Sequence, residues 1–218
     1  MAYLELFETA ANHVRGQGAN VRLSRGKPLS ASLIQTAQLQ APIPIPSSMA
    51  DFYEEVGDGF SFSWSAEGSR MPFADVEFPK LSEITRSLLG NLYAARIEWM
   101  RDYDFRYTVD PVLAKQTAVR MQKWLPFHEE GNGDEFCLDL SRDPAPVVFN
   151  QHDWFDGGTG ENGHLLGTSL LEFYTEWMQV CFQYPSELYW PSVFDKFGGG
   201  VRWDSEQFRT PFLIQART

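Results

Sequence analysis

Cysteine, long hydrophobic runs and positive charge are all scarce in this sequence. Only two cysteines occur in 218 residues, and Cys137 and Cys181 both lie in apolar patterns, so we expect buried reduced thiols. No run approaches the roughly 18 apolar residues of a membrane span. Glu5 and Glu8 stand where a signal peptide needs basic residues and an apolar core. We therefore expect a cytoplasmic protein that does not bind membranes.

Positive charge is scarce relative to negative charge. The chain has 18 Lys and Arg against 29 Asp and Glu, so its net charge is −11 and its isoelectric point is about 4.8. Such a charge repels nucleic acid and attracts basic partners, so we expect no direct nucleic-acid binding. Many soluble proteins are also acidic, so the charge alone does not require a basic partner.

Residues 124–140 predict a buried hairpin with a crowded acidic tip. Asn132-Gly133 indicates a tight turn because both residue types tolerate a positive φ. The strand after the turn alternates with a period of two, so its side chains should point to opposite faces. We expect Phe136, Leu138 and Leu140 on one face and Cys137 and Asp139 on the other.

The remaining pattern predicts a mixture of helices and strands without an internal repeat or a linker between two domains. Hydrophobic periodicity and capping signals predict helices over 2–14, 30–39, 46–57, 82–100 and 170–182, and one that begins at Asp110. Alternation predicts strands over 60–64, 73–78 and 147–149, and near 201–203. Residues 19–28 are expected to form an irregular connector. The predicted helix caps are Ser30, Ser47 or Ser48, Ser82, Asp110, and Ser169 with Glu172 as a capping box.

The order of these signals resembles the SUKH superfamily, which is named for the yeast Smi/Knr cell-wall regulators, the Syd protein and bacterial relatives. A proline-rich entry, the helix Pro-Ser-Ser-Met-Ala-Asp-Phe-Tyr, a glycine turn, an aromatic strand, Trp-Leu-Pro-Phe and Gly-Asn-Gly-Asp-Glu-Phe-Cys-Leu-Asp-Leu support the resemblance over roughly 28–182. The family pattern has a helix that ends in glycine, and a Gly-x-Gly-Asp segment that enters a strand with a further Asp. Asp134 and Asp139 match its acidic positions. The resemblance implies structural roles for Phe52, Tyr53, Gly57, Gly59, Trp64, Trp124, Gly131 and Gly133.

The resemblance also implies a fold and a class of function. The fold is α+β, with a mostly antiparallel central sheet and helices packed on it. We expect a single domain over 1–218, with its family-like core at about 28–182, a helical insertion over 80–120, and extensions over 1–27 and 183–218. The implied function is a non-enzymatic protein-binding module without a cofactor. Many bacterial members look like immunity proteins that neutralise toxins, often nucleases, and a regulatory scaffold for an endogenous partner is the alternative.

The acidic residues around the hairpin suggest where a partner would bind. Nine carboxylates and a single arginine occur between Glu129 and Glu161. Such a cluster suits the basic surface of a nuclease and speeds association, although it could also serve only to keep the loops soluble. The predicted partner-binding residues are Glu129, Glu130, Asp134, Glu135, Asp139, Asp153 and Asp156.

Three kinds of chemistry are not expected from the sequence. A metal site would have to use His128, Asp134, His152, Asp153 or His164, which show no close ligand pair. Paired carboxylates at Asp134 and Asp139 would point to opposite faces of a regular strand. Cys137 could pair with His128 or His152 as a nucleophile, but its apolar neighbours favour an inert buried thiol. We expect no catalytic residues and no metal.

Overall fold

The computed structural model describes residues 2–41, 45–66, 73–85, 110–152, 161–185, 189–195, 197, 199–209 and 212–214. Helices pack with two antiparallel sheets, so the expected α+β class is confirmed. The helices are α1 (Tyr3–Gly16), α2 (Ala31–Gln40), α3 (Ser47–Glu55), α4 (Leu81–Glu83), α5 (Pro111–Met121) and α6 (Leu170–Met178), with a 3-10 helix at Trp190–Val193. The strands are β1 (Asn20–Arg25), β2 (Phe60–Ser65), β3 (Ala74–Phe78), β4 (Trp124–Glu129), β5 (Glu135–Asp139), β6 (Val147–Asn150) and β7 (Leu165–Gly167).

The first sheet has the strand order β1-β2-β3, and each neighbouring pair is antiparallel. Phe60, Phe62 and Trp64 of β2 are buried and alternate with half-buried serines, as a strand with one face on the core should. Across the outer face, Ser63 lies between Arg22 of β1 and Asp75 of β3. One face of this sheet is therefore apolar core and the other is polar.

The second sheet is an antiparallel meander with the order β4-β5-β6-β7. Phe136 and Leu138 of β5 pack into the main core, whereas Cys137 packs into a smaller cluster with Trp124 and Met121. The alternation predicted for this strand is therefore confirmed. Both faces are buried because α5 covers the second one.

Aromatic rings connect the helices to both sheets. Phe7 of α1 stacks on Phe182 at a centroid distance of 4.5 Å, and Phe52 of α3 stacks on Phe78 of β3 at 4.1 Å. Tyr174 of α6 is fully buried among the same rings. Such pairs contribute roughly 0.5–1.5 kcal/mol each beyond their buried area.

Two strands were not predicted. Residues 20–25 form β1 rather than an irregular connector, and they pair with β2 over their whole length. Val21 and Leu23 are half-buried on the core side, so the alternation of Asn-Val-Arg-Leu-Ser-Arg was the missed signal. β7 is only three residues long, which is too short for a periodic pattern.

Several predicted helix ends need correction. Pro46, not a serine, is the N-cap of α3, and the Ser47 hydroxyl bonds to Asp143 at 2.9 Å. Lys80 precedes α4, so Ser82 lies inside that helix, and residues 86–100 of the predicted long helix lie outside the described residues. The last helix ends at Met178 instead of residue 182.

The remaining cap and strand predictions had mixed outcomes. Ser30 occupies the N-cap of α2, but its side chain makes no capping bond. Asp110 is confirmed as the N-cap of α5, since its carboxylate accepts hydrogen bonds from the N–H groups of Val112 and Leu113 at 3.0 Å each. Ser169 is confirmed as the cap of α6, although Glu172 bonds to Thr168 instead of completing the box. The strand expected near 201–203 is reduced to one bridge between Phe194 and Val201.

Candidate functional site: a groove between the two sheets

A groove of about 960 Å³ lies between β3, the edge strand of the first sheet, and β4, the edge strand of the second. Phe78 and Phe127 approach to 5.9 Å between ring centroids where the two strands meet. Pro126 lies beside them and has no N–H to pair, which suits an edge position. The lining therefore includes an apolar surface made by both sheets.

Carboxylates dominate the polar lining of this groove, which we call the acidic groove. Among the described residues that line it, Lys80 is the only lysine or arginine. Neighbouring carboxylates in a concave site add their fields and attract a positively charged partner. The carboxylates are Asp75 and Glu77 of β3, Glu83 of α4, and Glu129, Glu130 and Glu135 of the β4–β5 hairpin.

Tyr184 lines the groove together with the carboxylates of β3 and those of the β4–β5 hairpin. Its hydroxyl donates to the carbonyl oxygen of Asp75, and its N–H donates to the carbonyl of Phe73 at 2.9 Å. Burial raises the pKa of Tyr184 well above its usual value, and the negative charges of Glu130 and Asp75 raise it further. The phenol therefore stays protonated and continues to donate its hydrogen bond.

Glu130 is part of the groove wall rather than a free surface charge. Its Oε1 accepts the indole N–H of Trp190 at 3.0 Å and lies 3.3 Å from Nε2 of His128. The side chains of Glu130 and His128 are only 10% and 4% exposed. A buried acceptor with these partners fixes the position of the hairpin tip against the 3-10 helix.

The turn of the hairpin differs in detail from the expected one. The carbonyl of Glu130 accepts the N–H of Gly133 at 2.8 Å, and the N–H of Glu130 donates to Asp134 at 2.7 Å. Gly133 has a φ of 89°, whereas Asn132 is not in the left-handed region. This pattern is typical of a three-residue loop with a glycine bulge.

The carboxylates of Asp134 and Asp139 accept hydrogen bonds from other residues of the same chain. Oδ1 of Asp134 accepts the backbone N–H of His152 at 3.0 Å and lies 3.1 Å from its Nδ1. Asp134 is 2% exposed, and its Oδ2 accepts the side-chain amide of Asn132. Asp139 is also buried, and it accepts the N–H of Ser141 at 3.0 Å. These two carboxylates do not line the acidic groove.

The other predicted partner-binding residues have different surroundings. Glu129 is exposed, and Glu135 is half-buried with its Oε2 accepting the amide of Asn150 at 2.6 Å. Asp153 and Asp156 lie outside the described residues. The structure thus brings Glu129, Glu130 and Glu135 together and adds Asp75, Glu77 and Glu83. Asp75, Glu77 and Glu83 were not predicted because they become neighbours of the hairpin only when the two sheets pack.

Three glycines of the family pattern, Gly57, Gly59 and Gly133, have a positive φ that favours glycine. Gly57 has a φ of 122°, and an added Cβ would lie 2.5 Å from the carbonyl oxygen of Gly26. Gly59 has a φ of 78°, which also favours glycine. Gly131, in contrast, has open space around it.

The aromatic residues of the same pattern are buried. The indole of Trp64 donates to the carbonyl of Cys181 at 2.7 Å, and the Tyr53 hydroxyl donates to Pro79 at 3.0 Å. Both bonds join segments that are far apart in the sequence. All four of the aromatic positions, Phe52, Tyr53, Trp64 and Trp124, are at most 1% exposed.

Among the residues named above for metal binding or catalysis, Asp134 and His152 are in direct contact. Within the described ranges, no group of three or more His, Cys, Asp or Glu side chains is arranged to hold a metal ion. Nε2 of His164 donates to the Gly200 carbonyl at 2.8 Å, while Cys137 packs beside Trp124 on the face away from His128. In the same described part of the chain, no helix is both long and apolar enough to cross a membrane.

The chain matches the model of a known protein family. The model of the SMI1/KNR4 family (SUKH-1) matches residues 28–176, which include both sheets except for β1 and the lining of the acidic groove except for Tyr184. No curated protein and no solved structure matches the chain.

Proposed function

Because the chain belongs to the SMI1/KNR4 family (SUKH-1), we propose that it is a non-enzymatic protein-binding module that works as an immunity protein. It binds a bacterial toxin, such as a nuclease, and neutralises it. The observation that supports this proposal is the acidic groove, where six carboxylates surround an apolar floor. The binding needs no cofactor, and we place it in the cytoplasm.

The groove has the two features that a specific interface requires. Burial of apolar surface at its floor provides affinity, and charged walls provide orientation and a fast encounter. A toxin that acts on nucleic acid needs basic residues to contact phosphates. Those same basic residues are complementary in charge to the carboxylates of the groove. Binding of the toxin in the groove would therefore compete with its binding of nucleic acid.

Residues 1–218 are proposed to fold as one domain. The main buried cluster contains residues of α1, of both sheets, of α6 and of the 3-10 helix. Truncation of either extension would therefore remove a core residue, Phe7 or Trp190, and uncover the rings that it packs against, Phe52 or Phe136.

A pull-down of the tagged protein from its own source, at low and at high salt, tests the proposal. We expect a basic, nuclease-like partner that is retained at low salt and weakened at high salt, because salt screens exposed charges. Retention of an endogenous housekeeping protein would replace the immunity function with the regulatory scaffold. Retention of no protein under either condition would contradict a protein-binding function.

A further inference from the structure

The outer edge of β1 presents a row of unused backbone groups. The N–H of Gly26 donates to the carbonyl of Gly59 at 2.9 Å, so the backbone groups of Gly26 face β2. The N–H and C=O of a strand residue point to the same side, and the side alternates from one residue to the next. The residues whose groups point away from β2 are therefore Val21, Leu23 and Arg25.

The pairing on the other side of β2 gives the same assignment. The carbonyl of Trp64 accepts the N–H of Phe73 at 2.8 Å, so Trp64 faces β3 and its neighbour Ser63 faces β1. Ser63 is the register partner of Arg22. Arg22 thus bonds to β2, and the residues on either side of it face outward. Among the described residues, none forms a hydrogen bond with these outward backbone groups.

The edge is basic although the chain is acidic. No Asp or Glu occurs between Glu8 and Asp51, while Arg15, Arg22, Arg25 and Lys27 lie in that stretch. Arg22 and Arg25 are exposed, and neither forms an ion pair with any residue that the structure describes. Open strand edges often carry such charges, which prevent identical edges from pairing.

A second copy of this chain does not fit the edge. Pairing of β1 with β1 of a second copy would bring two arginines from each copy into one interface, where their positive charges would repel each other. The acidic β3 edge of another copy is occupied, since Tyr184 bonds to the carbonyls of Phe73 and Asp75. These two pairings of a second copy are therefore disfavoured, and the arginines of the edge favour a different segment with negative charge.

We infer that the β1 edge accepts an extended segment of a partner protein as a fourth strand of the first sheet, and that this segment alternates apolar residues with Asp or Glu. Its apolar side chains would pack beside Val21 and Leu23, which are half-buried against the main core. Its carboxylates would lie on the polar face beside Arg22, the register partner of Ser63, while Arg25 lies on the face of Val21 and Leu23 at the end of the strand. Backbone hydrogen bonds provide affinity in this mode of binding, and the alternating side chains provide specificity. The inference is independent of the acidic groove, which lies at the opposite edge of the sheet.

Amide hydrogen exchange measured by NMR tests the inference with an end-blocked peptide of about seven residues in which valine alternates with glutamate. At ten times its Kd, we expect the peptide to slow exchange at Val21, Leu23 and Arg25 by about tenfold. Two control peptides, one N-methylated at the pairing amides and one with lysine for glutamate, should have no effect. The amide of Ser24, which faces β2, should not change and serves as the internal control.

A charge-reversed variant provides the matched test. Arg22→Glu with Arg25→Glu changes only exposed side chains, so the fold should be retained, and the variant should prefer the lysine peptide. Exchange that no peptide slows, or that the N-methylated peptide slows equally, would overturn strand addition. Slower exchange that depends on protein concentration without peptide would identify a second copy as the occupant and would also overturn the inference.

Discussion

At the scale of single residues, Gly26 and Gly57 allow close contact between two backbone segments. One segment follows β1 and the other follows α3. A Cβ on Gly26 would lie 1.9 Å from the carbonyl oxygen of Asp58, which is far inside van der Waals contact. The neighbours on both sides are backbone atoms, so they cannot turn away as a side chain would. Gly57 could be identified from the family pattern, but Gly26 could not, because the close approach depends on packing.

Gly26→Ala should lower the free energy of unfolding by at least about 2 kcal/mol, since the backbone must move to admit a methyl group. Gly16→Ala is the matched control, because a Cβ there meets nothing within 4 Å at the end of α1. That substitution should raise stability by roughly 0.5–1 kcal/mol through the unfolded chain and helix propensity. Urea denaturation of both variants checks the pair. Equal effects would contradict the assigned backbone contact.

The acidic residues show what a count of charges in the sequence omits. Glu129 and Asp134 are five residues apart, yet Glu129 is exposed and Asp134 is 2% exposed with three acceptor contacts. The hairpin places one carboxylate outward and turns the other toward the backbone of His152. Both were predicted as partner-binding residues because the local sequence shows that a side chain is charged but not which way it points. In our proposal only carboxylates that line the groove contact the partner.

At the scale of secondary structure, elements with strong local signals were predictable. The β4–β5 hairpin, the Asp110 cap and the Ser169 cap each depend on a few adjacent residues. β1 was missed because its strand pattern is flanked by glycines and contains two arginines, a composition typical of a connector. The acidic groove was not predictable, because β3 and β4 are far apart in the sequence and meet only in the packed core.

The cap of α5 allows a test at this scale. Asp110→Ala should lower the free energy of unfolding by about 1 kcal/mol, because the N–H groups of Val112 and Leu113 lose their acceptor. Asp110→Asn keeps an acceptor oxygen at the same position and should lose only a small part of that stability. Thermal or urea unfolding of the two variants distinguishes the cap from a general effect of surface charge. Similar losses for both variants would contradict the capping role.

At the scale of the whole molecule, the charges are separated across the first sheet. The β1 edge carries Arg22 and Arg25, and the β3 edge carries Asp75 and Glu77 beside the hairpin carboxylates. β2 between them contributes only serines to the outer face. A protein with a net charge of −11 therefore still has one basic edge, so overall charge alone does not predict which partners each surface attracts.

Buried weak acids predict how stability depends on pH. Burial raises the pKa of Cys181 to about 12 and raises the pKa values of four of the eight tyrosines, namely Tyr3, Tyr53, Tyr174 and Tyr184. Groups with a raised pKa in the folded state stabilise it fully below their unfolded values, which are 9.0 for the thiol and 10.0 for the phenols. That stability is lost as the pH rises, because the unfolded chain releases these protons first.

An alkaline titration checks this expectation. The free energy of unfolding should fall from about pH 9 upward, and part of the tyrosinate absorbance should appear only when circular dichroism shows that the chain unfolds. Full tyrosinate absorbance in a chain that is still folded would contradict the burial of these phenols.

The central claim is that the acidic groove holds the partner. The most direct test is the Kd of the partner retained in the pull-down, measured by calorimetry for the wild type and two variants. The groove variant carries Asp75→Lys, Glu77→Lys and Glu129→Lys, and the matched control carries Glu8→Lys, Asp51→Lys and Glu54→Lys, all of them at exposed positions. We expect about a 100-fold weaker Kd for the groove variant, at roughly 1 kcal/mol for each reversed charge, and little change for the control. Equal Kd values for the two variants would contradict the claim.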